Sequence, residues 1–271
     1  MYNKWNDVKG KIDSQSPLIH CITSPIAIND CANAVLALGA KPIMAEHPLE
    51  VENITLMSKS LAVSLANITD ARAESIMISG KAACKAGIPS VIDLVGVTCS
   101  KMRADLAQCR PAVIKGNVSE IKAVCGMGFD ASSGIDVSDK DKVDSANPKS
   151  IEEMSYIVKN YAAANGCVVM ASGETDIISD GKEVYHISNG SSRMADVTGT
   201  GCILNCITAV FMSVTDVLTA CVLATAVLGI SGELADDSRG LGTYHIGLID
   251  SLSLMDSEKF SQMAKIKKYN K

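Results

Sequence analysis

Apolar residues in this chain gather into short continuous runs separated by longer stretches of helical periodicity. The runs are "PLIHCIT" (17–23), "KPIMA" (41–45), "SLAVSLA" (60–66), "PSVIDLV" (89–95), "PAVIKG" (111–116) and "GCVVMAS" (166–172). Most are apolar throughout rather than alternating, which predicts strands covered on both faces. Residues 71–86, 100–108 and 151–164 between them read as helices. Strand, helix, strand repeated in this way implies a parallel sheet with right-handed crossovers. "ISDGKEVYHIS" (178–188) reads as a hairpin turned at Asp180-Gly181. Two apolar helices, 200–212 and 215–235, follow, divided by the polar break 213–216. The expected fold is therefore α/β in three layers, a mostly parallel sheet with helices on both faces. No shift of composition marks a boundary, so residues 1–271 are expected to form a single domain. The Ser, Asp and Lys-rich stretch 127–149 reads as a surface loop or a flap over a ligand.

Composition narrows the picture. Hydrophobic residues make up 47% of the chain but aromatics only 4%, so the core must be built from Ala, Val, Leu, Ile, Met and Cys. That is usual in layered α/β folds and unusual in β-sandwiches. Net charge is −5, and the basic residues are scattered apart from Lys265, Lys267, Lys268 and Lys271. This argues against nucleic acid as a partner and leaves the tail as a solvated, frayed terminus. Ten cysteines occur without a CxxC or an adjoining His cluster. That pattern favours small buried hydrophobes in a reducing cytoplasm over disulfides or a thiolate metal site. The N-terminus lacks the apolar centre of a signal peptide. The apolar run 217–230, broken by Thr219 and Thr225, is shorter than a membrane span. A soluble, cytoplasmic protein with no membrane partner is expected.

Several chemistries are excluded first. There is no GxxxxGK[ST] and no HExxH, and "GMGFDA" (126–131) fails the dinucleotide fingerprint at its last position. "DVTGTGC" (196–202) is more informative. Gly199 and Gly201 let the chain turn sharply and approach a ligand, and Ile203, Ile207, Val210 and Phe211 then share one helical face. The loop Gly199, Thr200, Gly201, Cys202 thus opens a helix, where free N–H groups and the dipole favour an anion. The same position predicts a lowered pKa for Cys202. Asp93 in "SVIDLVGV" and Glu120 just after "VIKGN" lie near strand ends, where parallel sheets bind ligands. Two such carboxylates suit Mg²⁺ shared with phosphates; taken singly, each reads equally well as a cap or a surface charge. Ser172-Gly173 closes the next strand and suits a nucleotide contact.

Together, "ITSPIAINDCANAVLALGAKPIMA" (22–45), "IDLVGV" (92–97), "IKGNVSEI" (114–121), "VVMASGETDIISDG" (168–181) and "VTGTGCIL" (197–204) resemble the hydroxyethylthiazole kinase family of the ribokinase-like superfamily. The resemblance runs in order along nearly the whole chain. It implies ATP-dependent phosphorylation of 4-methyl-5-(2-hydroxyethyl)thiazole to its monophosphate, in thiamine salvage. It also implies roles residue by residue. Met44 and Gly199 match thiazole contacts, with Asn29 and Ser24 on the same substrate side. Lys115 and Ser172 match ATP-binding positions, and Asp93 with Glu120 the metal-associated pair. Cys202 stands where most ribokinase-like enzymes carry Asp. Two positions depart from the family pattern: Lys115 replaces its usual Arg, keeping the charge without the bidentate fork, and Ser24 replaces a common Asn. Asn29 and Asn33 are retained. The resemblance further implies a homotrimer with active sites between subunits. Two other readings stay open. Another small-alcohol kinase of the fold, such as a hydroxymethylpyrimidine kinase, is disfavoured by Cys202. A catalytically silent nucleotide-binding regulator has only Lys115 and Ser24 in its support.

Overall fold

The computed structural model describes residues 1–107, 110–126 and 148–269. The expected loop or flap at 127–149 therefore lies almost wholly outside the described residues. Nine strands form one sheet: β1 Leu18–Ile22, β2 Lys41–Ile43, β3 Ser60–Ser64, β4 Ser90–Asp93, β5 Val113–Asn117, β6 Val168–Ser172, β7 Asp176–Ser179, β8 Val184–Ile187 and β9 Ile266–Tyr269. Their spatial order is β2-β1-β3-β4-β5-β6-β7-β8-β9. The first six are parallel, and β6 to β9 pair antiparallel.

Eleven helices are described: α1 Tyr2–Gln15, α2 Ile28–Ala37, α3 Val51–Met57, α4 Asp70–Ala86, α5 Lys101–Leu106, α6 Val118–Val124, α7 Pro148–Asn165, α8 Thr200–Met212, α9 Val217–Ala235, α10 Leu241–Ser253 and α11 Ser257–Met263. They divide between two cores. Trp5, Ile12, Cys31, Ile207, Leu223 and Phe260 pack on one face of the sheet; Ile76, Leu106, Ile121, Met154 and Val158 pack on the other. Adjacent strand residues serve opposite cores. Val91 and Val113 face α8 and α9, whereas Ile92 and Ile114 face α4 to α7. Both faces need apolar cover, which is why these strands read as unbroken apolar runs.

α9 is long and apolar enough to cross a bilayer, reaching further than the 217–230 run. It is instead packed inside the fold, with Cys221 to Ile230 buried. The nine described cysteines are all free.

The C-terminal tail corrects the expectation from sequence. Residues 266–269 are not frayed; they form β9 and pair with β8 from Ile187↔Ile266 to Val184↔Tyr269. Tyr269 stacks on His186 with ring centroids 5.0 Å apart, and Lys265 donates its backbone N–H to Asn189 Oδ1 at 2.7 Å. Ending the chain at Ala264 is expected to cost about 2–4 kcal/mol, from several backbone hydrogen bonds at roughly 0.5–1.5 kcal/mol each. Urea denaturation reads this cost; an unchanged midpoint would restore the frayed tail.

Candidate active site

Strand register builds the centre of the site. Ser64 pairs with Asp93, and Asp93 with Lys115, across β3, β4 and β5. Each lies two residues beyond an apolar neighbour that faces α8 (Ala62, Val91, Val113), so this polar row points to the same side. All three residues are buried. Lys115 Nζ lies 2.9 Å from Asp93 Oδ1. Burial opposes the Lys115 charge, but Asp93 more than offsets it and holds the ammonium protonated above its ordinary range. Burial likewise pushes the Asp93 carboxyl upward, with Lys115 opposing. Asp93 Oδ2 is buried without a hydrogen-bond partner.

α8 starts directly above this row. Gly199 is its N-cap, at φ 95°, and no side chain caps the helix. The first N–H groups of α8 therefore have no partner within the helix. A Cβ on Gly199 would lie 2.9 Å from Ala27 Cβ, so this glycine permits the loop to close on the segment leading into α2. A Cβ on Gly201 would point at Lys115 Nζ, 3.6 Å away. The helix start thus adjoins Lys115 and its partner Asp93, and the dipole, N–H groups and ammonium favour an anion there against the Asp93 charge. Asn205 Nδ2 donates to Val63 O at 3.0 Å and fixes α8 to the end of β3. Thr200 does not face that space with its hydroxyl, which bonds Met194 O at 3.1 Å.

Cys202 differs from its sequence-based expectation. Its Sγ lies 3.8 Å from Ser64 Oγ. Burial, with the nearby charge of Asp93, pushes the thiol up to about 11, although Lys115 and Ser64 act in the opposite sense. Removal from water outweighs the helix terminus, so the group is a neutral thiol near pH 7, not a partial thiolate.

Glu120 is buried in the first turn of α6 and serves as a brace. Its Oε1 accepts the Gly96 N–H at 2.9 Å and its Oε2 the Asn117 N–H at 2.8 Å. The second bond completes a capping box in which Asn117 accepts the Glu120 N–H. Burial raises the Glu120 pKa, as does the neighbouring Asp93 charge.

The remaining positions flank the centre on opposite sides. Ser172 ends β6 opposite Asn117, on the flank of Lys115 away from Asp93. Met44 follows β2, at the other edge of the parallel strands. Ser24 follows β1; it is buried and donates to Asn67 Oδ1 at 2.6 Å. Asn29 is exposed on α2 and accepts from Asn33 at 3.0 Å. Met44 and Ser24 thus form one flank and Ser172 the other, with the helix start between them.

Asp176, at the head of β7, joins the site without a sequence motif of its own. Its Oδ1 accepts the Gly173 N–H at 3.1 Å, bracing the turn after Ser172. Burial brings its carboxyl up to about 7, against the opposing effects of that bond and of Lys115. Its one signal was an acidic residue closing "SGETD".

Comparison with known proteins adds to this geometry. The model of the hydroxyethylthiazole kinase family matches residues 10–258. The chain belongs to the hydroxyethylthiazole kinase family. A family relative, "Hydroxyethylthiazole kinase 2" of Clostridium botulinum, is 46% identical over 97% of this chain and 99% of its own. A hydroxyethylthiazole kinase of Pyrococcus horikoshii OT3 superposes with a TM-score of 0.86 at 27% identity, covering 97% of this chain and 98% of that one. A ribokinase-like superfamily protein of Enterococcus faecalis V583, at 12% identity, superposes with a TM-score of 0.59 over 89% and 88% of the two chains. The family's fold is thus ribokinase-like.

Proposed function

We propose that this chain transfers the γ-phosphoryl group of ATP to the hydroxyl of 4-methyl-5-(2-hydroxyethyl)thiazole, giving the thiazole phosphate and ADP. The observation that carries the reading is the uncapped start of α8, set over Asp93 and Lys115, in a chain of this family. The bond between the γ-phosphorus and the bridging oxygen breaks as the alcohol oxygen bonds to phosphorus. In a loose transition state positioning and charge neutralisation dominate. The N–H groups of 200–202 and Lys115 act on the transferring oxygens, while Met44 and Ser24 seat the acceptor and Ser172 the nucleotide. The alcohol gives up its proton late, to an oxygen of the arriving phosphoryl group or to water, so a neutral Cys202 thiol suffices there as a pocket wall.

Mg²⁺ fits this site in one respect: Asp93 Oδ2 is buried and unpartnered. Both Glu120 oxygens already accept N–H bonds, which leaves Glu120 to act through water. No group of three or more His, Cys, Asp or Glu suited to a metal occurs among the described residues. That agrees with an ion held largely by phosphates and water. When bound, Mg²⁺ supplies neutralising charge on the phosphates. Exposed Ile26 before α2, Leu36 on α2, and Leu241 and Ile246 on α10 leave apolar surface for contact with another subunit; the homotrimer itself is what the family resemblance implies, and light scattering reads it directly. A cytoplasmic location accords with the free cysteines.

ADP release with the thiazole alcohol and Mg-ATP tests the reading; no release by the unmodified protein would overturn it. Cys202→Ser is expected to keep the ATP KM and lose less than about tenfold in kcat, well short of the 10²–10⁴-fold of full general-base catalysis. A thiol at about 11 remains protonated below that pH, so kcat should show no step from Cys202 between about pH 6 and 9. Cys202→Asp is expected to remain active. A folded but inactive Cys202→Ser would make the thiol a catalytic base.

A further inference from the structure

We infer that Arg72 is a positioning residue that locks the two chain segments of the acceptor flank together and so sets the affinity for the thiazole alcohol; the inference rests on the function proposed above. Arg72 lies in the first turn of α4 and is only 1% exposed. Its guanidinium does not meet another side chain for packing alone. Nη1 donates to the carbonyls of Ala66 and Asn67, each at 2.7 Å, and Nη2 to that of Ser64 at 3.5 Å. Nε stands 3.3 Å from Glu46 Oε2, an ion pair without hydrogen-bond alignment. One rigid fork therefore reaches both the chain leaving β3 and the chain leaving β2.

Each of these contacts lies one step from the acceptor flank. Asn67, at φ 50°, offers the side chain that receives the Ser24 hydroxyl. Ser64 presents its hydroxyl to Cys202. Glu46 follows Met44 by two residues, and its segment is held from below as well. Ser75 Oγ donates to Glu46 O at 2.8 Å, and His20 Nε2 to Ala45 O at 2.9 Å. Burial keeps His20 neutral, with its pKa lowered, so Nδ1 accepts from Thr55 at 2.9 Å. The Met44 side of the flank is thus pinned to β1 and α4; the Asn67 side is held by α4, by Ser24, and by α5 through Arg103 Nη1 on Leu65 O at 2.7 Å. Arg72 contacts both. A cation buried to this degree is a costly way to fill space, because desolvation rivals the Coulombic gain. Its donors go to strand-end carbonyls, where they orient the chain around a ligand.

The nucleotide flank is built separately, on β5 and β6, and Arg72 makes no bond to it. Arg72→Lys keeps the charge but replaces a planar fork with a point donor able to satisfy only part of the set. The expected result is a KM for the thiazole alcohol raised tenfold or more, with the ATP KM within about twofold. Glu46→Gln, at a half-exposed position that does not threaten folding, should shift the same KM in the same direction by a smaller factor. It carries the test if Arg72→Lys does not fold. Residual turnover of Arg72→Lys at saturating alcohol separates lost positioning from a lower fraction of active protein. An unchanged alcohol KM in the folded variants, or equal rises in both KM values, would overturn the inference while leaving the proposed function intact. Absence of turnover in the unmodified protein would instead overturn the proposed function, and this inference with it.

Discussion

Gly201→Val is expected to leave the protein folded and to remove phosphoryl transfer, by about 10³-fold or more, the upper range for losing preorganised donors at a reacting oxygen. The two loop glycines differ physically. Gly199 is at φ 95° and a Cβ there would press on Ala27 at 2.9 Å, so its replacement strains the fold itself. Gly201 carries no such constraint: it lies within α8, and its Cβ would meet only Lys115 Nζ at an ordinary 3.6 Å. A valine there is tolerated by the backbone. Its methyl groups would occupy the space between the helix start, Lys115 and Asp93, which a transferring phosphoryl group needs. Thermal melting and ADP release, measured on the same preparation, separate the two effects. A folded Gly201→Val that still turns over would return the loop to the status of a structural turn.

Lys115→Met should have the largest effect on stability. It removes one partner from a buried pair whose side chains are 4% and 2% exposed, leaving Asp93 buried without its counter-ion and its carboxyl pushed further upward. Breaking such a pair costs about 3–5 kcal/mol, whereas replacing both partners by apolar groups of similar volume is often neutral. The double variant Lys115→Met with Asp93→Leu should therefore regain most of the lost stability and remain inactive. Urea denaturation of both single variants and the double variant gives the coupling directly. Independent, additive losses would show that the 2.9 Å contact carries no energy, and recovered activity in the double variant would remove both residues from the chemistry. Lys115, which matches an ATP-binding position by resemblance, is also the counter-ion of Asp93 in the fold.

Local patterns in the sequence determined much of this architecture. The unbroken apolar runs follow from strands whose alternate residues serve two cores, as Val91 and Ile92 do, and this needs no knowledge of partners. Asp180-Gly181 set the β7–β8 turn by its own preferences, and Gly199 followed by apolar residues at helical spacing marked the start of α8. Tertiary structure alone decided three further features. β9 has no apolar run because Lys267 and Lys268 make it polar; it is an edge strand, where charge guards against further pairing, and only β8 tells it to be a strand. The row Ser64, Asp93, Lys115 comes from register between strands far apart in sequence, and the reach of Arg72 to Glu46 across from α4 has the same origin. Cys202 illustrates the limit most clearly. A helix start, readable locally, argues for a lowered thiol pKa, but burial beside Asp93 raises it to about 11, because desolvation depends on what the whole fold places around the sulfur.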